Sequence, residues 1–158
     1  MEQYISQANT IDFIVFFAVI IYITVRRLRP RKFRPTRMYI WPVIYVLLVI
    51  FSTTEINDPL MYLALPILGI LGYLLGNKFL ENGEIEFFYN SGRLYYKWPY
   101  SITILWSILF LTRIFLEFIG EGNILLLSIV DFLLSLNTGL LVSASFKTIK
   151  EAKRYRYI

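Results

Sequence analysis

Five apolar stretches divide this chain, and 15 of its 16 lysines and arginines fall in alternate segments between or after them. The first linker carries Arg26, Arg27, Arg29, Arg31, Lys32, Arg34 and Arg37. The third carries Lys78, Arg93 and Lys97, and the tail carries Lys147, Lys150, Lys153, Arg154 and Arg156. The intervening segments hold Glu2, Glu55, Asp58, Glu117 and Glu121. A bilayer accounts for both halves of this pattern. Its hydrocarbon takes apolar helices of about 20 residues, and Lys and Arg stay on the cytoplasmic side. The expectation is an all-α, polytopic transmembrane bundle in the cell membrane, one integral membrane domain over 1–158. Its five spans fall at 10–27, 38–53, 60–80, 99–120 and 123–146, with the N-terminus outside and the C-terminus cytoplasmic.

Composition enters as a check. At 57% hydrophobic residues the chain has less polar surface than a soluble domain of its size needs. It has no cysteine and no histidine. That removes disulfides, thiolate chemistry and the common zinc and haem ligands. No catalytic set, metal site or cofactor is expected. The net charge is +5, but the basic residues flank apolar runs. Anionic headgroups at the cytoplasmic face are therefore the expected partner, and nucleic acid is not. The first run follows Glu2 and Asp12 and lacks a small-x-small cleavage site, so it reads as a retained helix.

The linkers differ in kind. Arg29 to Pro35 contains two prolines, which push their preceding residues out of helix. It reads as an extended basic strip, either a topogenic signal or a docking strip for an acidic partner or nucleotide. Residues 84–98 read as a cytoplasmic β-hairpin between spans three and four, with a three-residue Gly-containing connection and a bulge. Phe87 and Tyr89 on one arm, and Tyr96 and Trp98 on the other, offer an apolar face at the membrane interface. That face is either a cap on the bundle or a lid and partner surface. Short outer linkers make spans two and three, and spans four and five, antiparallel neighbours.

A few polar residues fall at membrane depth, where an ionisable group costs several kcal/mol unless paired or hydrated. Arg113 and Asp131 flank the last outer turn at similar depth, Glu117 is one turn from Arg113, and Asp12 enters the same leaflet. Asp12, Arg113, Glu117 and Asp131 form a candidate intramembrane cluster, either a structural ion pair or part of an ion or proton path. Gly69, Gly72 and Gly76 flatten one face of span three for close helix packing, within the chain or between copies.

Three segments carry a resemblance. They are the basic run ending in Arg34-Pro35-Thr36-Arg37, the glycine-bearing span from Gly69 to Gly76, and Gly92-Arg93-Leu94-Tyr95-Tyr96-Lys97-Trp98-Pro99 leading into the span with Arg113. In these the chain resembles the CcdC-like group of small multi-pass membrane proteins. The resemblance implies several transmembrane helices in one module and no settled activity. Three functions stay open on the sequence. The first is a non-enzymatic accessory or assembly module with a second copy or a membrane-protein partner. The others are a small transporter or ion path using the Arg/Asp cluster, and an enzyme acting on lipid phosphate.

Overall fold

The computed structural model describes residues 28–55, 59–119 and 123–155, with seven separate positions between Val15 and Arg26, all helical. Its elements are β1 (Arg31–Lys32), α1 (Pro35–Glu55), α2 (Pro59–Glu81), β2 (Glu86–Asn90), β3 (Arg93–Lys97), α3 (Tyr100–Ile119) and α4 (Ile124–Tyr155). Among the described residues, four helices are long and apolar enough to cross a membrane. The expectation of five spans is corrected to this bundle of four. The stretch 10–27 lies mostly outside the described residues. Its uncharged core, Phe13 to Val25, is only 13 residues. A hydrocarbon layer of roughly 30 Å takes about 20 residues of helix. The hairpin consequently joins the second and third helices, α2 and α3, and does not lie between spans three and four.

Helix boundaries follow local chemistry. Pro35 and Pro59 occupy the first positions of α1 and α2, where a missing N–H costs nothing and the fixed φ suits the helix. Asn123 caps α4, its Oδ1 accepting from the N–H groups of Leu125 and Leu126 at 3.1 and 3.4 Å. Large apolar side chains cover the outer faces of α1 and α2, including Val43, Leu47, Phe51, Leu63, Ile67 and Leu74. In a bilayer those faces meet acyl chains, and a helix whose backbone bonds are internal is the form that survives there.

The central element is α4, against which the other three helices pack. Its 32 residues span about 48 Å, longer than the hydrocarbon is thick. The last turns therefore leave the apolar layer and carry Lys147 to Tyr155 to the hairpin. There the Phe87 and Tyr155 rings lie 5.0 Å apart, and the Tyr89 hydroxyl donates to the Tyr155 carbonyl at 3.1 Å. Two turns lower, the Trp98 Nε1 donates to the Thr148 hydroxyl at 3.0 Å.

Contact between α2 and α4 is close because small residues meet there, Gly69, Gly72 and Gly76 on α2 and Ser135, Gly139 and Ser143 on α4. A Cβ added at Gly72 would strike the Leu136 carbonyl oxygen, and one at Gly139 would strike the Gly69 carbonyl. At Gly76 it would come within 2.8 Å of the Ser143 Cβ, whereas at Gly69 the nearest atom is the Ser135 Oγ at 3.3 Å. The Ser135 hydroxyl donates to the Leu65 carbonyl across the same seam. The glycine face of α2 is thus packed against α4 of the same chain at Gly72 and Gly76.

The sheet has three strands in the order β1-β3-β2, all antiparallel. Phe87 opposes Tyr96 and Tyr89 opposes Leu94, so these four side chains share one face. The expected three-residue connection with a bulge is corrected: Asn90 pairs with Arg93, which leaves a two-residue loop of Ser91 and Gly92. Both have positive φ, 50° and 71°, as a type I′ hairpin turn requires. The third strand, β1, comes from the basic strip. The N–H of Phe33 extends this pairing by donating to the Leu94 carbonyl at 2.8 Å, and the Phe33 ring meets Tyr96 edge-on at 6.4 Å. Below the sheet, Ile85 and Tyr96 join Met38, Leu80, Ile102, Leu140, Ala144 and Ile149 in one core cluster.

Candidate functional site

The basic residues converge. The strip precedes α1, the hairpin joins α2 to α3, and the basic turns close α4, so an up-and-down bundle brings all three to one end. Pairing of β1 with β3 ties the strip to the hairpin, and Tyr155 ties the end of α4 to it. Between the strip, the start of α1, Tyr96 and Trp98 beside it, and Leu141 and Ser145 of α4 lies a cavity of about 830 Å³. Arg26, Arg29, Arg31, Lys32, Arg34 and Arg37 line it, which is the whole expected strip except Arg27, a residue outside the described set. Met38, Trp41, Tyr96, Trp98 and Leu141 supply an apolar wall, and no carboxylate lines it among the described residues.

Gathering six like charges around one space is unfavourable. Two unit charges 8 Å apart repel by about 2 kcal/mol at an effective dielectric near 20. The Lys32 pKa is pushed below the ordinary lysine value by desolvation, then by the charge of Arg93, which stands outside the lining, and of Arg34 within it. The first turn of α1 adds to the imbalance. It has no acidic residue, and Arg34 and Arg37 stand where the helix dipole is positive. A cation there loses about 0.3–1 kcal/mol that an anion would gain. An anion in this cavity relieves both effects.

Lys97 behaves in the opposite sense. Its pKa is raised, first by a hydrogen bond with Tyr100, against some desolvation, and then by the charge of Glu86. The ammonium lies 3.8 Å from the Glu86 carboxylate and 4.5 Å from the centre of the Tyr100 ring. Its contribution to the hairpin is fully present below the ordinary lysine pKa, and fades as pH rises through the raised value. Lys97 is thus engaged within the hairpin and is not part of the cavity lining.

Of the expected intramembrane residues, the structure brings Arg113 and Glu117 together. Arg113 pairs with Glu117 on its own helix at 3.9 Å, and the two side chains are 19% and 55% exposed. The Arg113 Nε has no hydrogen-bond partner among the described residues. Asp131 is half-buried on α4 with an interaction of its own, and Asp12 lies outside the described residues. Among the described residues no buried charged cluster forms, and no three His, Cys, Asp or Glu side chains come within reach of one metal ion.

Two features escaped the sequence reading. A second cavity of about 540 Å³ lies between α2 and α4 at the basic end, where the Lys147 ammonium donates to the Leu80 carbonyl at 2.7 Å and the Ser143 hydroxyl to Asn77 Oδ1 at 2.8 Å. Deeper in the bundle, Asn137 is 1% exposed with neither amide atom partnered among the described residues. Its signal was an amide midway along an apolar span, between the core residues Leu134 and Leu141.

Architecture and site together make the chain a polytopic membrane protein with a strongly basic, partly enclosed end. No protein-family model matches the chain, and neither a curated protein nor a solved structure matches it.

Proposed function

We propose that this chain is an accessory or assembly module of the cell membrane, working by binding and not by turnover, with its basic end in the cytoplasm. The observation that carries the reading is the convergence of three sequence-distant basic segments on one end of a four-helix bundle, joined by the β1–β3 pairing and the contacts of Tyr155 with the hairpin. Lys and Arg at that density are retained on the cytoplasmic side during insertion and attract anionic lipid afterwards. The composition supports binding over chemistry, since a chain without cysteine or histidine lacks the side chains most used as nucleophile and near-neutral proton carrier. Kinship with the CcdC-like group belongs to the same reading and rests on the three segments quoted above. Arg113 and Asp131 are assigned to helix packing within it.

An accessory module has something to attach to. Crosslinking in native membranes, followed by extraction in a mild detergent, is expected to give one discrete complex with another membrane polypeptide or a second copy. A strict monomer under both conditions contradicts the reading.

A further inference from the structure

We propose that the cavity at the basic end binds a lipid whose headgroup ends in a phosphate monoester. The phosphate is held by Arg31, Arg34 and Arg37, and the start of the hydrocarbon lies along Met38, Trp41 and Leu141. This rests on the preceding reading only in placing the basic end at a membrane surface.

Four observations carry the inference. The volume, about 830 Å³, is that of a pocket able to enclose most of a small ligand. Its lining has two parts, cations from the strip and an apolar wall from α1, β3 and α4. A free phosphate would use the first and leave the second wet; an amphiphile uses both. The cavity also runs inward along α4 from Ser145 to Leu141, one turn or about 6 Å toward the hydrocarbon. That is the direction an acyl chain must take. Finally, five of the six cations are arginine, whose planar fork matches phosphate oxygens two at a time.

Charge selects the headgroup. A phosphodiester brings one negative charge to six cations and leaves most of their repulsion in place. A monoester brings about −1.5 to −2 at neutral pH. The N-terminus of α1, opening beside Arg34, favours the more charged group further.

The test uses the full chain in phosphatidylcholine nanodiscs, titrated with phosphatidic acid, phosphatidylglycerol, glycerol 3-phosphate and inorganic phosphate. Phosphatidic acid is expected to bind saturably and roughly tenfold tighter than phosphatidylglycerol. That preference is expected to shrink below about pH 6, where the monoester takes up its second proton. The double variant Arg34→Gln/Arg37→Gln loses about tenfold in affinity, whereas Lys150→Gln/Lys153→Gln, which removes equal charge outside the cavity, leaves it unchanged. Should the first pair not reconstitute, Arg31→Gln set against Lys153→Gln gives the same comparison at one charge each. Equal binding of the two lipids, or equal loss with either pair of substitutions, overturns the proposal in favour of diffuse attraction. The soluble phosphates binding as tightly as phosphatidic acid overturns the lipid assignment, and displacement of bound lipid by an acidic peptide assigns the cavity to a protein instead. Both faces of a nanodisc are open, so an error in orientation leaves the result unaffected, and failure here leaves the accessory role standing.

Discussion

Gly72→Ala and Gly139→Ala should each destabilise the folded chain by about 3 kcal/mol, although alanine is the better helix former. Helix propensity alone predicts the opposite sign, a gain of about 1 kcal/mol for replacing an interior helical glycine. The structure decides between them. At both positions the new methyl would meet the backbone of the facing helix, Leu136 at one and Gly69 with Tyr73 at the other. Backbone cannot swing aside as a side chain can, so α2 and α4 must separate along the seam. Separation forfeits the packing of the two helices that meet most extensively. It also breaks the bond from Ser135 to the Leu65 carbonyl. In a bilayer the loss is not cushioned, because packing and interhelical hydrogen bonds are what hold helices together there. Gly69→Ala is the internal control. Its new methyl would meet the Ser135 hydroxyl at 3.3 Å and the Ser135 carbonyl at an ordinary 3.9 Å, and the cost should nearly cancel against propensity. Thermal unfolding of the three variants in one detergent measures the order. If Gly72→Ala proves as stable as the parent, the close seam is wrong.

Trp98→Ala carries the second large effect. Trp98 is half-buried at the junction of the two core clusters, and its ring centre is 6.2 Å from that of Tyr96. Its indole N–H donates to Thr148, whose own hydroxyl donates to the Ala144 carbonyl at 2.6 Å. Truncation removes the ring from between hairpin and α4, and is expected to cost about 3 kcal/mol. Trp98→Phe keeps most of the ring and loses only the hydrogen bond, for about 1 kcal/mol. The ratio of the two losses, read by chemical denaturation, separates packing from hydrogen bonding. Equal losses would show that Trp98 holds the hairpin by its hydrogen bond and not by the packing of its ring.

Much of this molecule is legible in its sequence because the bilayer makes the local code simple. Uninterrupted apolar runs after Pro35 and Pro59 announce helices, and Asn90-Ser91-Gly92 between aromatic arms announces a turn. The errors arise where local pattern and distant contact part company. The charges from Lys147 onward read as a tail, yet α4 continues to Tyr155 because the hairpin gives its last turns something to pack against. Arg31 and Lys32 sit between prolines and carry no strand signature. They become β1 only because β3 offers an open edge. Gly72 and Gly76 mark a close face on α2, but nothing local identifies Gly139 as its complement on α4. The same holds for the cavity. Seven basic residues in a row of twelve read as a topogenic signal, and their second role follows from the sheet that folds them over Trp41 and Leu141.

Orientation is the claim on which the functional reading turns, and the absence of cysteine makes it cleanly measurable. Single cysteines at Ser91 and Lys153 mark the basic end, and one at Ile124 marks the other. All three positions are exposed. Treated with a membrane-impermeant maleimide on intact cells, Ile124→Cys is expected to label, and Ser91→Cys and Lys153→Cys only after lysis. Labelling of Ser91→Cys from outside with Ile124→Cys protected would contradict the account, because it would put the basic cavity on the wrong side of the membrane.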